Sequence, residues 1–299
     1  MQIALIGLGK MGYNLALNLR NNGHLVVAYD RSSELTAQIA GEKGIQAVES
    51  LEAAVTALTG RRVIWLMVPS GNTVEEVIKQ LIPQLTSGDI IIDGGNSNFN
   101  DSVRRHGELK ALGLDFIDCG TSGGTSGALN GACTMIGGEQ AVYEYCKPIF
   151  DDISLPGGSL YVGAPGAGHF TKMVHNGIEY GMMQAIAEGF EVLEKSRYDI
   201  DFQKVAELWN QGSVVRSWLM ELTANAFAKD PHLDSIRGVM HSSGEGKWTL
   251  ETALDMGVPT PVIALSVIMR YRSLQDDSFA GKVVAAQRNE FGGHAVEKS

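Results

Sequence analysis

The chain has 299 residues, of which 44% are hydrophobic and 19% charged, and a formal net charge of -10. That length suits one large domain or two. The acidic balance argues against nonspecific attachment to nucleic acid or an anionic membrane surface, so any anionic ligand must be met by a local group of cations. The opening MQIALIGLGKMG lacks a basic n-region and a small-residue cleavage site, and a signal peptide is not expected. No apolar run approaches the ~20 residues of a membrane span. Cys119, Cys133 and Cys146 are odd in number and have no metal-ligand spacing, which predicts three reduced, non-catalytic thiols in a cytoplasmic protein.

In chain order, IALIG is an apolar run stopped by glycine, followed by the amphipathic MGYNLALNLRNNG. A second apolar run, LVVAYD, ends at Asp30. Further runs lie at 62–68, 89–95 and 114–120, with NTVEEVIKQLIPQL as a helical pattern between the first two. Continuous apolar strands alternating with helices predict a Rossmann-type, doubly wound parallel sheet covered on both faces. ACTMIGG (132–138) and GSLYVG (158–163) are expected to add strands at one edge. From Gly166 the pattern turns helical: GHFTKMVHNGIEYGMMQAIAEGFEVLEKS, then DFQKVAELWNQG and VVRSWLMELTANAFAKD. The expected division is a nucleotide-binding domain over 1–165 and an all-α domain over 166–299 that opens on a long helix.

GLGKMG (7–12) fits G-x-G-x-x-G between a strand and a helix, where glycines allow a tight turn and close approach of backbone to a pyrophosphate. The expected cofactor contacts are Gly7, Leu8, Gly9, Lys10, Met11 and Gly12, with Asp30, Arg31 and Ser32 at the adenosine ribose. A carboxylate at position 30 accepts ribose hydroxyls and repels a 2′-phosphate. NAD is therefore expected over NADP, although Arg31 leaves NADP open. Val68, Pro69 and Ser70 stand at the end of the apolar run 62–68, where a loop covers the nicotinamide half. DGGNSNF (93–99) and GTSGGTSGALNG (120–131) are glycine- and hydroxyl-rich loops after strands, at the edge where open sheets bind ligands.

Lys172, His175, Asn176 and Glu179 are spaced three, four and seven apart, which puts them on one helical face. GLGKMG, DGGNSN, TSGG, GHFTKMVHNGIEY, GEGKWT and RNEFGGH, in this order from Gly7 to His294, resemble the 6-phosphogluconate dehydrogenase family. The chain is similar to that family's short, often NAD-linked branch. The resemblance implies oxidative decarboxylation of 6-phosphogluconate to ribulose 5-phosphate, a step of the pentose phosphate pathway and gluconate utilisation, without a metal. It implies Lys172 as the catalytic base and Glu179 as the acid. A free lysine, with a pKa near 10.4, is a poor base at neutral pH, so its site must favour the neutral form.

The resemblance also implies that Asn96, Ser122, Gly123, Gly124, His175, Asn176, Tyr180 and Arg270 bind substrate, Asn96 lying near the cofactor as well. Arg288 and His294, in R-x-x-F-G-x-H, are implied to complete the site of a neighbour in a homodimer or homotetramer. One departure stands out. Ser243 and Glu245 occupy positions where longer members carry a phosphate-binding lysine and a threonine, and Glu245 is expected to turn toward Lys247 or Arg270. The competing readings are a non-decarboxylating 3-hydroxy acid dehydrogenase and a nucleotide-sensing protein without catalysis.

Overall fold

The structure is a computed structural model that describes residues 1–298. It divides into two compact units, Met1–His175 and Asn176 onward. The first alternates β1 (Gln2–Ile6), α1 (Lys10–Asn21), β2 (Leu25–Tyr29), α2 (Ser33–Ala40), β3 (Ile45–Ala47), α3 (Leu51–Thr56), β4 (Val63–Leu66) and α4 (Asn72–Leu81). It continues through β5 (Ile90–Asp93), α5 (Phe99–Ala111), β6 (Asp115–Ser122), α6 (Gly124–Asn130), β7 (Ala132–Gly138), α7 (Gln140–Ile153) and β8 (Ser154–Gly163). The strands form one sheet in the order β3-β2-β1-β4-β5-β6-β7-β8. Every pairing is parallel except β6 with β7.

Successive strand residues point to opposite faces, and here both faces are dry. Ile3 and Leu5 of β1, Trp65 of β4 and Ile90 and Ile92 of β5 enter a core closed by Leu15 and Leu19 of α1 and Ile149, Phe150 and Ile153 of α7. Their neighbours Ala4, Ile6, Ile64, Leu66 and Ile91 meet α3, α4 and Leu109 of α5 on the other side. Burial on both faces explains why these strands read as unbroken apolar runs. It also fixes the sheet edge, because the carboxyl ends of β1, β2, β4, β5 and β6 all emerge on the same side.

Several elements differ from the sequence reading. The segment 120–131 is not all loop: α6 begins at Gly124, because the buried Gly127 and Ala128 are small enough to close a turn against α1. β8 starts four residues before the predicted edge strand, since Pro156, Gly157 and Gly158 bend the strand without ending it. β3 is only three residues long and has too little apolar pattern to announce itself.

α8 (Ala167–Glu194) is one continuous helix of 28 residues, and its first turns belong to the first unit. The second unit continues through α9 (Phe202–Trp209), α10 (Trp218–Lys229), α11 (Glu245–Asp255), α12 (Pro261–Ser273) and α13 (Phe279–Gly292). α10 begins at Trp218, after the Ser217 side chain caps it by accepting from the Met220 N–H, so Val214–Arg216 lie outside the helix expected there. A cluster of Phe190, Ala206, Met220, Ala224 and Phe227 holds α8, α9 and α10 together. By contrast, α13 buries no residue, and Phe279 and Phe291 are 81% and 76% exposed. Among the described residues no helix is long and apolar enough to cross a membrane, and no cluster of His, Cys, Asp or Glu could hold a metal ion.

Phe150 tests the packing of the first unit. Its ring is fully buried, stacks on Tyr143 at 6.0 Å and tilts against Trp65 at 5.7 Å. Phe150→Ala should cost roughly 3–5 kcal/mol, read as a lower urea midpoint at unchanged m. A smaller loss in Phe150→Leu would mark the effect as lost packing.

Candidate active site

The glycine-rich turn joins β1 to α1, where each glycine meets a different requirement. Gly7 has a φ of +99°, and a Cβ there would stand 2.4 Å from the Met67 carbonyl. At Gly12 a Cβ would lie 1.9 Å from the Gly7 carbonyl, so only glycine lets α1 close on the turn. At Gly9 nothing lies within 4 Å, which leaves room for a ligand to approach the backbone. α1 has no side-chain cap and no acidic residue in its first turn, so its leading N–H groups and partial positive charge suit an anion. β1 and β4 are neighbours although β2 and β3 separate them in sequence, so this turn sits at the topological switch point where such sheets bind nucleotides.

Asp30 follows β2 and holds this turn. Its Oδ2 accepts the Leu8 N–H at 2.7 Å, and its Oδ1 accepts the Ser32 N–H at 2.8 Å. A carboxylate oxygen has a further lone pair, so both can still accept ribose hydroxyls. Ser32 caps α2, and Arg31 is exposed beside it. Val68 is half-buried after β4, and Pro69 and Ser70 are exposed in the loop that leads to α4. Lys10 and Met11 open α1 at the same edge. The residues present thus fit a dinucleotide.

The DGGNSN loop leaves β5 at Asp93 and is pinned from below. Asp93 Oδ2 accepts from Ser97 Oγ at 2.6 Å and from Arg105 Nη1 at 3.0 Å, and Asp93 Oδ1 accepts the Gly95 N–H at 3.1 Å. Arg105 also donates to Ser97 Oγ at 3.1 Å and reaches Glu75 on α4. Asp93 and Arg105 are both fully buried, a pair that is costly to break from one side. Asn96 is exposed at the crest of this loop.

Ser122 ends β6, and Gly123 takes a φ of +118° to turn the chain into α6 at Gly124. Ser122 Oγ lies 3.2 Å from His175 Nε2 on α8. Lys172 is 7% exposed and packs over Gly120, where a Cβ would lie 2.4 Å from the lysine's own Cβ. Lys172 and His175 thus sit with Ser122 in the first unit. Asn176, buried, and Glu179, half-buried, follow on the same helix. Glu179 follows Lys172 by seven positions, about 10.5 Å along the axis at two turns.

In the second unit, Tyr180 is 5% exposed and has Gly246 of α11 against its ring. The Arg270 guanidinium lies over that ring, 3.6 Å from the centroid, and Nη1 donates to the His241 carbonyl at 2.8 Å. The Tyr180 hydroxyl is 3.4 Å from Ser242 Oγ and 3.5 Å from Ser243 Oγ. Glu245 does not turn toward Lys247 or Arg270. It is buried in the first turn of α11 and accepts from Ser243 Oγ, while Lys247 pairs with Glu251 one turn on. A carboxylate at a helix N-terminus is favoured by the dipole, which accounts for the burial.

Arg288 and His294 are exposed, Arg288 on α13 and His294 just beyond Gly293, which ends the helix in the left-handed conformation. The His294 carbonyl accepts from Asn289 Nδ2, and its ring lies edge-on to Phe291. Cys119 and Cys146 are buried thiols whose ionisation burial pushes up, Cys146 to about 12. Neither is a nucleophile. Ser102, Arg105, Asp118, His169 and Ser242 escaped the sequence reading. Asp118, a charge within the apolar FIDCG run, was the one with a visible signal.

Comparison with known proteins accords with this geometry. Residues 2–163 match the NAD binding domain of 6-phosphogluconate dehydrogenase, and residues 168–299 match the 6-phosphogluconate dehydrogenase C-terminal domain. A Bacillus subtilis protein, named a 6-phosphogluconate dehydrogenase only provisionally, is 54% identical over the whole of both chains. The NAD(+)-dependent, decarboxylating 6-phosphogluconate dehydrogenase of Haloferax volcanii is 41% identical, covering 100% of this chain and 99% of that one. Among solved structures, the Plasmodium falciparum 6-phosphogluconate dehydrogenase, described with its cofactor NADP+, superposes with a TM-score of 0.85 at 32% identity. That match covers 100% of this chain and 66% of the longer one. With a nucleotide-binding sheet and a helical domain each matched along their length, the chain is an oxidoreductase of the 6-phosphogluconate dehydrogenase family.

Proposed function

We propose that the chain oxidises 6-phosphogluconate at C3 with NAD and releases the C1 carboxylate as carbon dioxide, leaving ribulose 5-phosphate. The observation that carries this reading is the placing of buried Lys172 and half-buried Glu179 two turns apart on α8. Lys172, neutral when it acts, takes the C3 hydroxyl proton. Bound NAD supplies the acceptor for the C3 hydride. The lysine, now an ammonium, donates toward the new carbonyl oxygen while the C1–C2 bond breaks and its electrons form the enediol. Glu179 then delivers a proton to the former C2, which becomes C1 of ribulose 5-phosphate, so one base and one acid serve both steps. Asn96, Ser122, Gly123, Gly124, His175 and Asn176 orient the carboxylate and hydroxyls, and Tyr180 and Arg270 hold the phosphate. In this reading the nucleotide domain is 1–165, and 166–299 binds substrate and assembles the oligomer.

The buried carboxylate of Glu245 beside Ser243 favours a second reading, a 3-hydroxy acid without a phosphate, because a dianion placed there would be repelled. Purified protein offered 6-phosphogluconate or gluconate with NAD separates the two when NADH and carbon dioxide are followed together. The first reading expects both products from 6-phosphogluconate and far poorer use of gluconate. In parallel, Lys172→Met should abolish NADH formation while cofactor and substrate still bind. Glu179→Gln should slow turnover and the exchange of the C1 proton of ribulose 5-phosphate.

Asp30 makes NAD the expected cofactor over NADP. Asp30→Ala should narrow the preference by removing the charge that repels a 2′-phosphate, with Arg31 beside it to receive that group. A wild-type preference for NADP in kcat/KM would refute this assignment.

The exposed α13 and its aromatic residues support a homo-oligomer in which Arg288 and His294 enter a neighbour's site, bringing cations to an acidic chain. Mixing inactive Lys172→Met subunits with inactive Arg288→Ala/His294→Ala subunits should restore activity once they exchange. A fully active monomer, or exchange without recovery, would defeat the arrangement.

A further inference from the structure

Ser102, Arg105, Asp118 and His169 are at most 2% exposed and have no part in the chemistry above. Buried polar groups cost free energy unless they are paired, so the partners they keep show what the fold holds in place. His169 stands in the first turn of α8. Its Nδ1 lies 2.7 Å from Ser102 Oγ on α5, and its backbone N–H donates to Asp118 Oδ2 at 2.9 Å. The Gly166 N–H donates to Asp118 Oδ1 at 2.7 Å. Asp118 therefore fixes the end of the helix along its axis, whereas Ser102 holds it from the side.

α5 is itself prevented from turning. Arg105 is three residues beyond Ser102, hence on the same face, and is bound to Asp93 and Ser97 at the end of β5. A lateral bond from such a fixed helix sets the roll of α8 about its axis. Among the described residues His169 Nε2 has no protein partner, so the Ser102 contact is the one side-chain hydrogen bond that orients the ring. Lys172 follows His169 by three residues and is the next side chain along that side of the helix. A small roll of α8 is magnified at the end of a lysine, and a misplacement of about 1 Å can cost on the order of a hundredfold in rate.

We propose that Ser102 and His169 are positioning residues for the reaction, their hydrogen bond fixing the roll of α8 and with it the reach of the Lys172 amine to the C3 hydroxyl. This rests on the assignment of Lys172 as the base. It is tested with full-length Ser102→Ala, Ser102→Thr, His169→Leu and His169→Asn, using 6-phosphogluconate and its C3-deuterated form. Ser102→Ala and His169→Leu should lower kcat by about ten- to a hundredfold and raise the deuterium isotope effect, with the Kd for NAD unchanged. Ser102→Thr keeps the hydroxyl, and the asparagine amide of His169→Asn occupies the place of Nδ1, so both should recover most of kcat.

Lys172→Met is measured alongside. If it still transfers hydride, the assignment of the base fails and this proposal fails with it. If Lys172→Met is inactive while Ser102→Ala and His169→Leu keep the wild-type kcat and isotope effect, positioning alone is overturned. Equal losses in all four variants that follow only a lowered Tm would also overturn it, because they would mark a purely structural contact.

Discussion

The seating of α8 against the sheet is the constraint on which the rest of the first unit depends. A helix can meet a strand backbone to backbone only where side chains are missing from both, and three glycines provide this. A Cβ on Gly168 would lie 2.5 Å from the carbonyls of both Asp118 and Met135. One on Gly137 would lie 2.6 Å from the Gly168 nitrogen, and one on Gly120 would strike Lys172. Such contacts are closer than real Cβ atoms tolerate, so any larger residue must push the helix away. The antiparallel pairing of β6 and β7 contributes too, since it brings Met135 and Gly137 beside Asp118 and Gly120. The buried Asp118 carboxylate then occupies the helix end, where its charge is favoured by the dipole and two N–H groups are satisfied.

Most of the sheet was legible because of its burial. β1, β2 and β5 are short apolar runs that end at glycine or aspartate, β4 lies in one between Arg62 and Pro69, and residues covered on both faces leave no alternation to confuse with a helix. The parts that were not legible are those in which local composition misleads. α6 is spelled in glycine, serine and threonine, which elsewhere make turns, and it closes because α1 packs against it. β8 contains Pro156, Gly157 and Gly158 near its start, yet it lies at the sheet edge, where a missing donor costs little. β3 is held by pairing with β2 rather than by its own three residues.

The candidate site divides in the same way. Gly7, Gly9, Gly12 and Asp30 form a local motif with a local cause, and the four polar residues from Lys172 to Glu179 obey helical spacing. Both are visible in a one-dimensional sequence. The bonds that orient them are not, for Ser102 and His169 are 67 positions apart, and Asp118 lies 48 positions before Gly166. No pattern in either segment specifies its partner. Glu245 shows the limit within a single motif. Its charge suggested a cationic partner, but a helix N-terminus and a serine hydroxyl two residues away meet the same need at shorter range.

This last pairing bears on how the second unit can hold an anion. Because Glu245 occupies the first turn of α11, an arriving phosphate would compete with a fixed carboxylate for the same helix end. The remaining attraction must come from cations with a defined direction. Arg270 is one, preoriented by the Tyr180 ring and the His241 carbonyl, so little side-chain freedom is lost when its other donors engage a ligand. A single guanidinium facing a dianion beside a buried carboxylate leaves the local charge negative. A second cation is required for tight binding, and α13 is a helix that buries nothing in its own subunit while carrying Arg288 and ending at His294. The electrostatic deficit of the proposed phosphate subsite and the uncovered surface of α13 are thus two sides of one problem, which the proposed homo-oligomer, with a neighbouring copy docked on α13, would resolve together.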